Sequence, residues 1–121
     1  MGALCAQTKH NATITSKVVT VNPSDWKFTS GGYLSDTIKW SALTKEVFDN
    51  GAVMMYVLGT SGGGWHLLPH SYYSDAGEIE VNFNYHEGFL EIRMLSLITG
   101  KSKLSTAQLP SYKYKIVVIT E

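Results

Sequence analysis

Residues 78–97 read Glu78-Ile-Glu-Val-Asn-Phe-Asn-Tyr-His-Glu-Gly-Phe-Leu-Glu-Ile-Arg-Met-Leu-Ser-Leu97, and this stretch decides the fold. Apolar and polar side chains alternate on both sides of Glu87-Gly88, the period-two signal of two half-buried antiparallel strands joined by a tight turn. A two-residue turn there sets Tyr85 opposite Leu90, Phe83 opposite Ile92 and Val81 opposite Met94, with Asn84 opposite Glu91 and Asn82 opposite Arg93. Only this parity keeps apolar residues on one face and polar ones on the other, because a one-residue slip flips every side chain. The stretch contains no catalytic spacing.

Working outward, Ile14 to Val21 is rich in β-branched residues and reads as a strand stopped by Asn22-Pro23. Trp26 to Tyr33 is a short extended piece broken by Ser30-Gly31-Gly32, and Thr37 to Trp40 is another. Leu43 to Asn50 is the one helical pattern. Thr44 can cap its first turn, Leu43 and Val47 share a face, and Asn50-Gly51 predicts a left-handed stop. Ala52 to Leu58 is a continuous apolar run, the pattern of a central strand covered on both faces, with Met55 and Tyr56 both buried. Gly59 to Gly64 reads as a loop, Trp65 to Tyr73 as a strand kinked or ended at Pro69, Lys101 to Pro110 as a polar connection, and Tyr112 to Thr120 as a closing strand. Seven or eight strands with one short helix near residues 44–49 predict a single all-β antiparallel sandwich over residues 13–121, of which the jelly roll is one form. Residues 1–12 form a lead without periodicity.

The chain is long enough to bury roughly two-thirds of its surface, so its core needs no metal or disulfide staple. Its single cysteine, Cys5, forms no internal disulfide. The formal net charge is zero and Arg93 is the only arginine, which leaves no electrostatic footprint for nucleic acid. No apolar run approaches the ~18 residues of a membrane helix. Ala3 to Ala6, with a small residue before Gln7, resembles the tail of a signal peptide; a lipid-attachment cysteine at Cys5 fits Gly2-Ala3-Leu4 poorly, and a native disordered terminus is the other reading.

Val21-Asn-Pro-Ser-Asp-Trp26, Leu43-Thr44, Phe48-Asp-Asn-Gly-Ala-Val53, Tyr56, Leu68-Pro69 and Tyr114-Lys-Ile-Val-Val118 occur in an order that resembles the C-terminal domain of uncharacterised exported proteins and lipoproteins of Bacteroidota. In some of these the domain follows a collagen-like Gly-x-y tract, which this chain lacks. The resemblance covers Ile14 to Ile119 and implies an exported or cell-surface β domain. It carries no functional residues across.

Several constellations invite chemistry. Gly59-Thr60-Ser61-Gly62-Gly63 matches the nucleophile elbow G-x-S-x-G, but that motif needs a helix after the serine, and Gly64 to Pro69 reads as extended chain. It lacks the Gly-Lys-Ser/Thr ending of a phosphate loop. His66 and His70 stand at i and i+4, a metal spacing on a helix; in one straight strand they would lie ~13 Å apart. Glu78 and Glu80 share a strand face with Asn82 and Asn84, as a solvated face does. Asp25, Asp36, Asp49 and Asp75 sit near turns without Asp-x-Asp spacing, so no cofactor or metal is implied. Trp26, Trp40, Trp65, Tyr72 and Tyr73 flank loops, where aromatics either edge the core or stack on sugars.

The reading is therefore a non-catalytic exported module, binding or structural, with a glycan or another protein as partner and an oligomer left open. Its candidate ligand patch is Ser61, Trp65, Tyr72 and Tyr73. The alternatives are a carbohydrate-binding module using loop aromatics and a small hydrolase pairing Ser61 with His66 or His70.

Overall fold

A computed structural model describes residues 12–59, 62–74, 77–96 and 109–120. Residues 1–11 with Cys5, Ser61, Asp75, and residues 97–108, which hold most of the polar connection, lie outside the described residues. Two antiparallel sheets pack face to face. One has the order β1 (Thr13–Val21), β9 (Tyr112–Thr120), β4 (Ala52–Leu58), β5 (Trp65–Leu67). The other has the order β2 (Lys27–Phe28), β3 (Leu34–Lys39), β8 (Phe89–Ser96), β7 (Gly77–His86), β6 (His70–Ser74). The predicted all-β sandwich is the observed fold. Two wrapped pairs typical of a jelly roll are present, β1 with β9 and β3 with β8. The inner pairs are instead the local connections β4–β5 and β6–β7, so the jelly-roll interlock is incomplete.

The β7–β8 register is the one expected from the alternation: Tyr85 faces Leu90, Phe83 faces Ile92, and Val81 faces Met94. Ile79, Val81, Leu90, Ile92 and Met94 are fully buried, while Asn82, Asn84, Glu91 and Arg93 share the outer face. Gly88 alone takes the left-handed position in the turn (φ 89°). Its N–H donates to the Leu43 carbonyl at 2.6 Å and its carbonyl accepts from the Trp40 N–H at 3.0 Å, which docks the hairpin tip against the segment entering the helix.

α1 (Lys45–Asn50) starts where the cap predicts, with Thr44 Oγ1 accepting the Val47 N–H at 3.2 Å. Its end differs from expectation. Gly51 has φ −97°, so no left-handed residue stops the helix. Glycine is required there by contact, since a Cβ would sit 2.6 Å from the Ile119 carbonyl oxygen. Asp49 bonds Lys45, and Asp25 accepts the Asn22 N–H at 2.8 Å across a single 3-10 turn, so both carboxylates serve local structure.

The reading of β4 also needs correction. It is interior in its sheet, between β9 and β5, and Met55 is fully buried. Tyr56, however, is only half-buried, because no second layer of described residues covers the outer face of the four-stranded sheet. A continuous apolar run in sequence had implied two covered faces; here one is covered.

Candidate functional site

The site grows from a corner. β5 is the edge of the four-stranded sheet and β6 the edge of the five-stranded one. The chain passes from one to the other across Leu68-Pro69, a cis peptide bond. Leu68 is still held to the first sheet, its N–H donating to the Met55 carbonyl at 2.8 Å. Sandwich corners are built where a strand changes sheets in this way.

Register decides which side chains face inward. His66 stands opposite buried Val57, and His70 opposite buried Val81, so both imidazoles project into the gap between the sheets. Their rings stack with centroids 4.4 Å apart and planes 12° apart. The ~13 Å expected for a continuous strand is therefore wrong here, because the corner at Pro69 folds the i, i+4 pair together. The row continues from His70 to Tyr72 at 6.0 Å and from Tyr72 to Tyr112 at 6.0 Å. The Tyr72 hydroxyl donates to the Tyr112 hydroxyl at 2.9 Å and ties β6 to β9 across the sandwich.

These residues bound an open cleft of about 270 Å³. Val57 and Leu58 supply apolar wall, Gly59 and Gly63 the loop side, and His66, His70, Tyr72, Tyr73 and Tyr112 the aromatic remainder. A side chain placed on Gly59 would come within 3.3 Å of His66 Nε2, so the loop backbone can lie close to that imidazole. No carboxylate or amine is among the described lining residues. Burial, and then the neighbouring His66, hold the His70 pKa below its ordinary value. Burial pushes the Tyr72 hydroxyl up, reinforced by the bond to Tyr112, and burial likewise raises Tyr112. At neutral pH the Tyr72 and Tyr112 hydroxyls therefore stay protonated, and the His70 ring is biased to its neutral form. The cleft offers hydrogen bonds and flat rings, with no carboxylate or amine among the described lining residues.

The expected ligand patch is divided by the fold. Tyr72 and Tyr73 both line the cleft, Tyr72 from within the gap and Tyr73 from its rim with 82% of its surface exposed. Trp65 pairs with Leu58 on the outer face of the other sheet, 36% exposed, with the Lys115 ammonium 4.5 Å from its ring centre. Ser61 is outside the described residues, so its distance to either histidine does not enter the site. Trp26 is in the core and Trp40 packs at its edge. Tyr112 was missed from sequence. It lies 40 residues beyond Tyr72, and nothing local marks it as that residue's partner. The histidine spacing was visible but could be read only with the sheet crossing in hand.

No group of three or more histidine, cysteine, aspartate or glutamate side chains among the described residues could hold a metal ion. No described helix is long and apolar enough to cross a membrane. Comparison with models of protein families, with curated proteins and with solved structures finds no match.

Proposed function

We propose that this domain is a non-catalytic exported binding module that takes a small carbohydrate residue in the cleft between β5 and β6. The observation that carries the reading is the aromatic lining: two stacked imidazoles and three tyrosines around a space of about 270 Å³ with no described carboxylate or amine in its wall. Ligand cavities commonly run from ~300 to 1,000 Å³, so the occupant is small, of the order of one sugar ring. A pyranose presents apolar C–H faces to aromatic rings and hydroxyls to imidazole nitrogens and phenols, which matches such a lining. Export rests on the resemblance of residues 14–119 to exported Bacteroidota domains.

The hydrolase alternative has less support. A nucleophile elbow needs a helix behind its serine, whereas the chain continues through Gly62–Gly64 into the strand Trp65–Leu67.

A glycan-array screen followed by NMR titration tests the proposal. The imidazole C–H signals of His66 and His70 and the ring signals of Tyr73 are expected to move with the bound sugar. Tyr73→Ala and His70→Ala should each weaken binding about tenfold, or ~1.4 kcal/mol, while Trp65→Ala leaves it unchanged. Sugar binding indifferent to Tyr73 and His70, or labelling of Ser61 by a fluorophosphonate, overturns the reading.

A further inference from the structure

The outer face of the four-stranded sheet is apolar where a solvated face should be polar. Alternation places Ile14, Ser16, Val18 and Thr20 of β1 on it, beside Lys113, Lys115, Val117 and Ile119 of β9. Ala52, Met54, Tyr56 and Leu58 of β4 follow, then Trp65 and Leu67 of β5. Ile14, Val18 and Leu67 are 67%, 54% and 53% exposed. An antiparallel sheet with one wet face ordinarily alternates apolar-in and polar-out. β4 and the Ile116–Ile119 run of β9 carry instead the composition of strands covered on both sides.

We propose that a second copy of this chain packs face to face on this sheet, forming a twofold-symmetric dimer. Area permits that occupant. Four strands at ~4.8 Å spacing and about seven residues at ~3.3 Å rise give roughly 440 Å² of flat face per copy, about 880 Å² for the pair before side-chain relief, the size of a weak, reversible interface. Charge supports it as well. The chain has zero formal net charge, so approach of two copies meets little overall repulsion. The two lysines do not oppose each other when the twofold axis runs along the strands between β9 and β4. That axis lays β9 of one copy over β4 of the other and sets Lys115 over the Tyr56 ring of the second copy. Lys115 already lies 5.6 Å from the centre of its own Tyr56 ring, so an aromatic environment suits its ammonium. The cleft at β5–β6 opens between the sheets and shares only Leu58, at the end of β4, with this face.

Solution mass over a wide concentration range tests this on the full chain. Sedimentation equilibrium from about 1 to 300 μM is expected to show the 13.4 kDa species giving way to one of twice that mass. Val18→Glu and Leu67→Glu should each weaken dimerisation at least tenfold, and Thr37→Lys on the opposite sheet should not change it. Melting curves at 1 μM verify that the variants fold; Val18→Thr and Leu67→Ser replace any that do not, with the same direction expected. A 13.4 kDa mass at every concentration overturns the proposal. So does a dimer indifferent to Val18 and Leu67, or a monomer whose face instead takes up anionic vesicles.

Discussion

Met54 and Met55 are adjacent and chemically identical, yet the fold assigns them opposite fates. Met55 is fully buried among the inward residues of β4, and Met54 points to the outer face and is half-buried. Met55→Asp removes a buried thioether side chain, forfeiting about 1.5–3 kcal/mol of burial. The new carboxyl must also become neutral or stay charged in an apolar core. Neutralising it at pH 7 from an ordinary pKa of ~3.9 costs about 4 kcal/mol at 1.36 kcal/mol per unit. The sum, about 6–7 kcal/mol, is comparable with the ~5–15 kcal/mol total stability of a domain. Met54→Asp keeps its carboxylate in water and should cost under ~1 kcal/mol. Chemical denaturation of both variants at micromolar concentration, below any self-association, measures the contrast. In heat denaturation Met55→Asp should melt at least ~10 °C lower, if the folded state survives at all. Equal destabilisation by the two substitutions, or a Met55→Asp protein melting within a few degrees of the parent, would show that the parity assigned to β4 is wrong.

Gly51 tests contact against conformation. Gly51→Ala and Gly51→Asn should both cost about 1–3 kcal/mol, because a Cβ would collide with the Ile119 carbonyl; tolerance of Asn in urea denaturation would restore the left-handed stop. His70 gives a pH signature. Its pKa is depressed in the folded state, so the unfolded chain binds the extra proton, and stability is full above the ordinary value of 6.5 and falls as pH drops through that value toward the folded pKa. His70→Gln should flatten that acid-side loss in melting curves between pH 7 and 5; an unchanged slope refutes the assignment. Ser35 donates to Glu91 Oε2 at 2.6 Å and is the main reason the Glu91 carboxyl titrates below its ordinary value of 4.5. That stabilisation is present above 4.5 and lost as pH falls through the folded pKa, so Ser35→Ala should cost ~1.5 kcal/mol at neutral pH and less in acid. Carbon-detected NMR titration of Glu91 should show its pKa rise in the variant, and no rise would count against the bond.

Side-chain parity along a strand is local, and the sequence determined it. The alternation in residues 78–97 set the β7–β8 register, the Thr44 cap set the start of α1, and the β-branched closing run set β9. These depend on spacings within a few residues, where the two-residue period leaves one arrangement that buries the apolar set. The closure of the sandwich was decided by pairings remote in sequence. Pro69 could be read as a strand break, but not as the corner that moves the chain to the opposite sheet, because that depends on Leu67 finding Tyr56 and His70 finding Val81. His66 and His70 stack, and Tyr72 meets Tyr112, only once that crossing is made. Gly51 is similar, since the atom that demands a glycine is the carbonyl of Ile119, remote in sequence. Composition also could not separate a strand covered on both faces from one with an apolar outer face, because hydrophobicity records what a residue can pack against and tertiary structure supplies the neighbour.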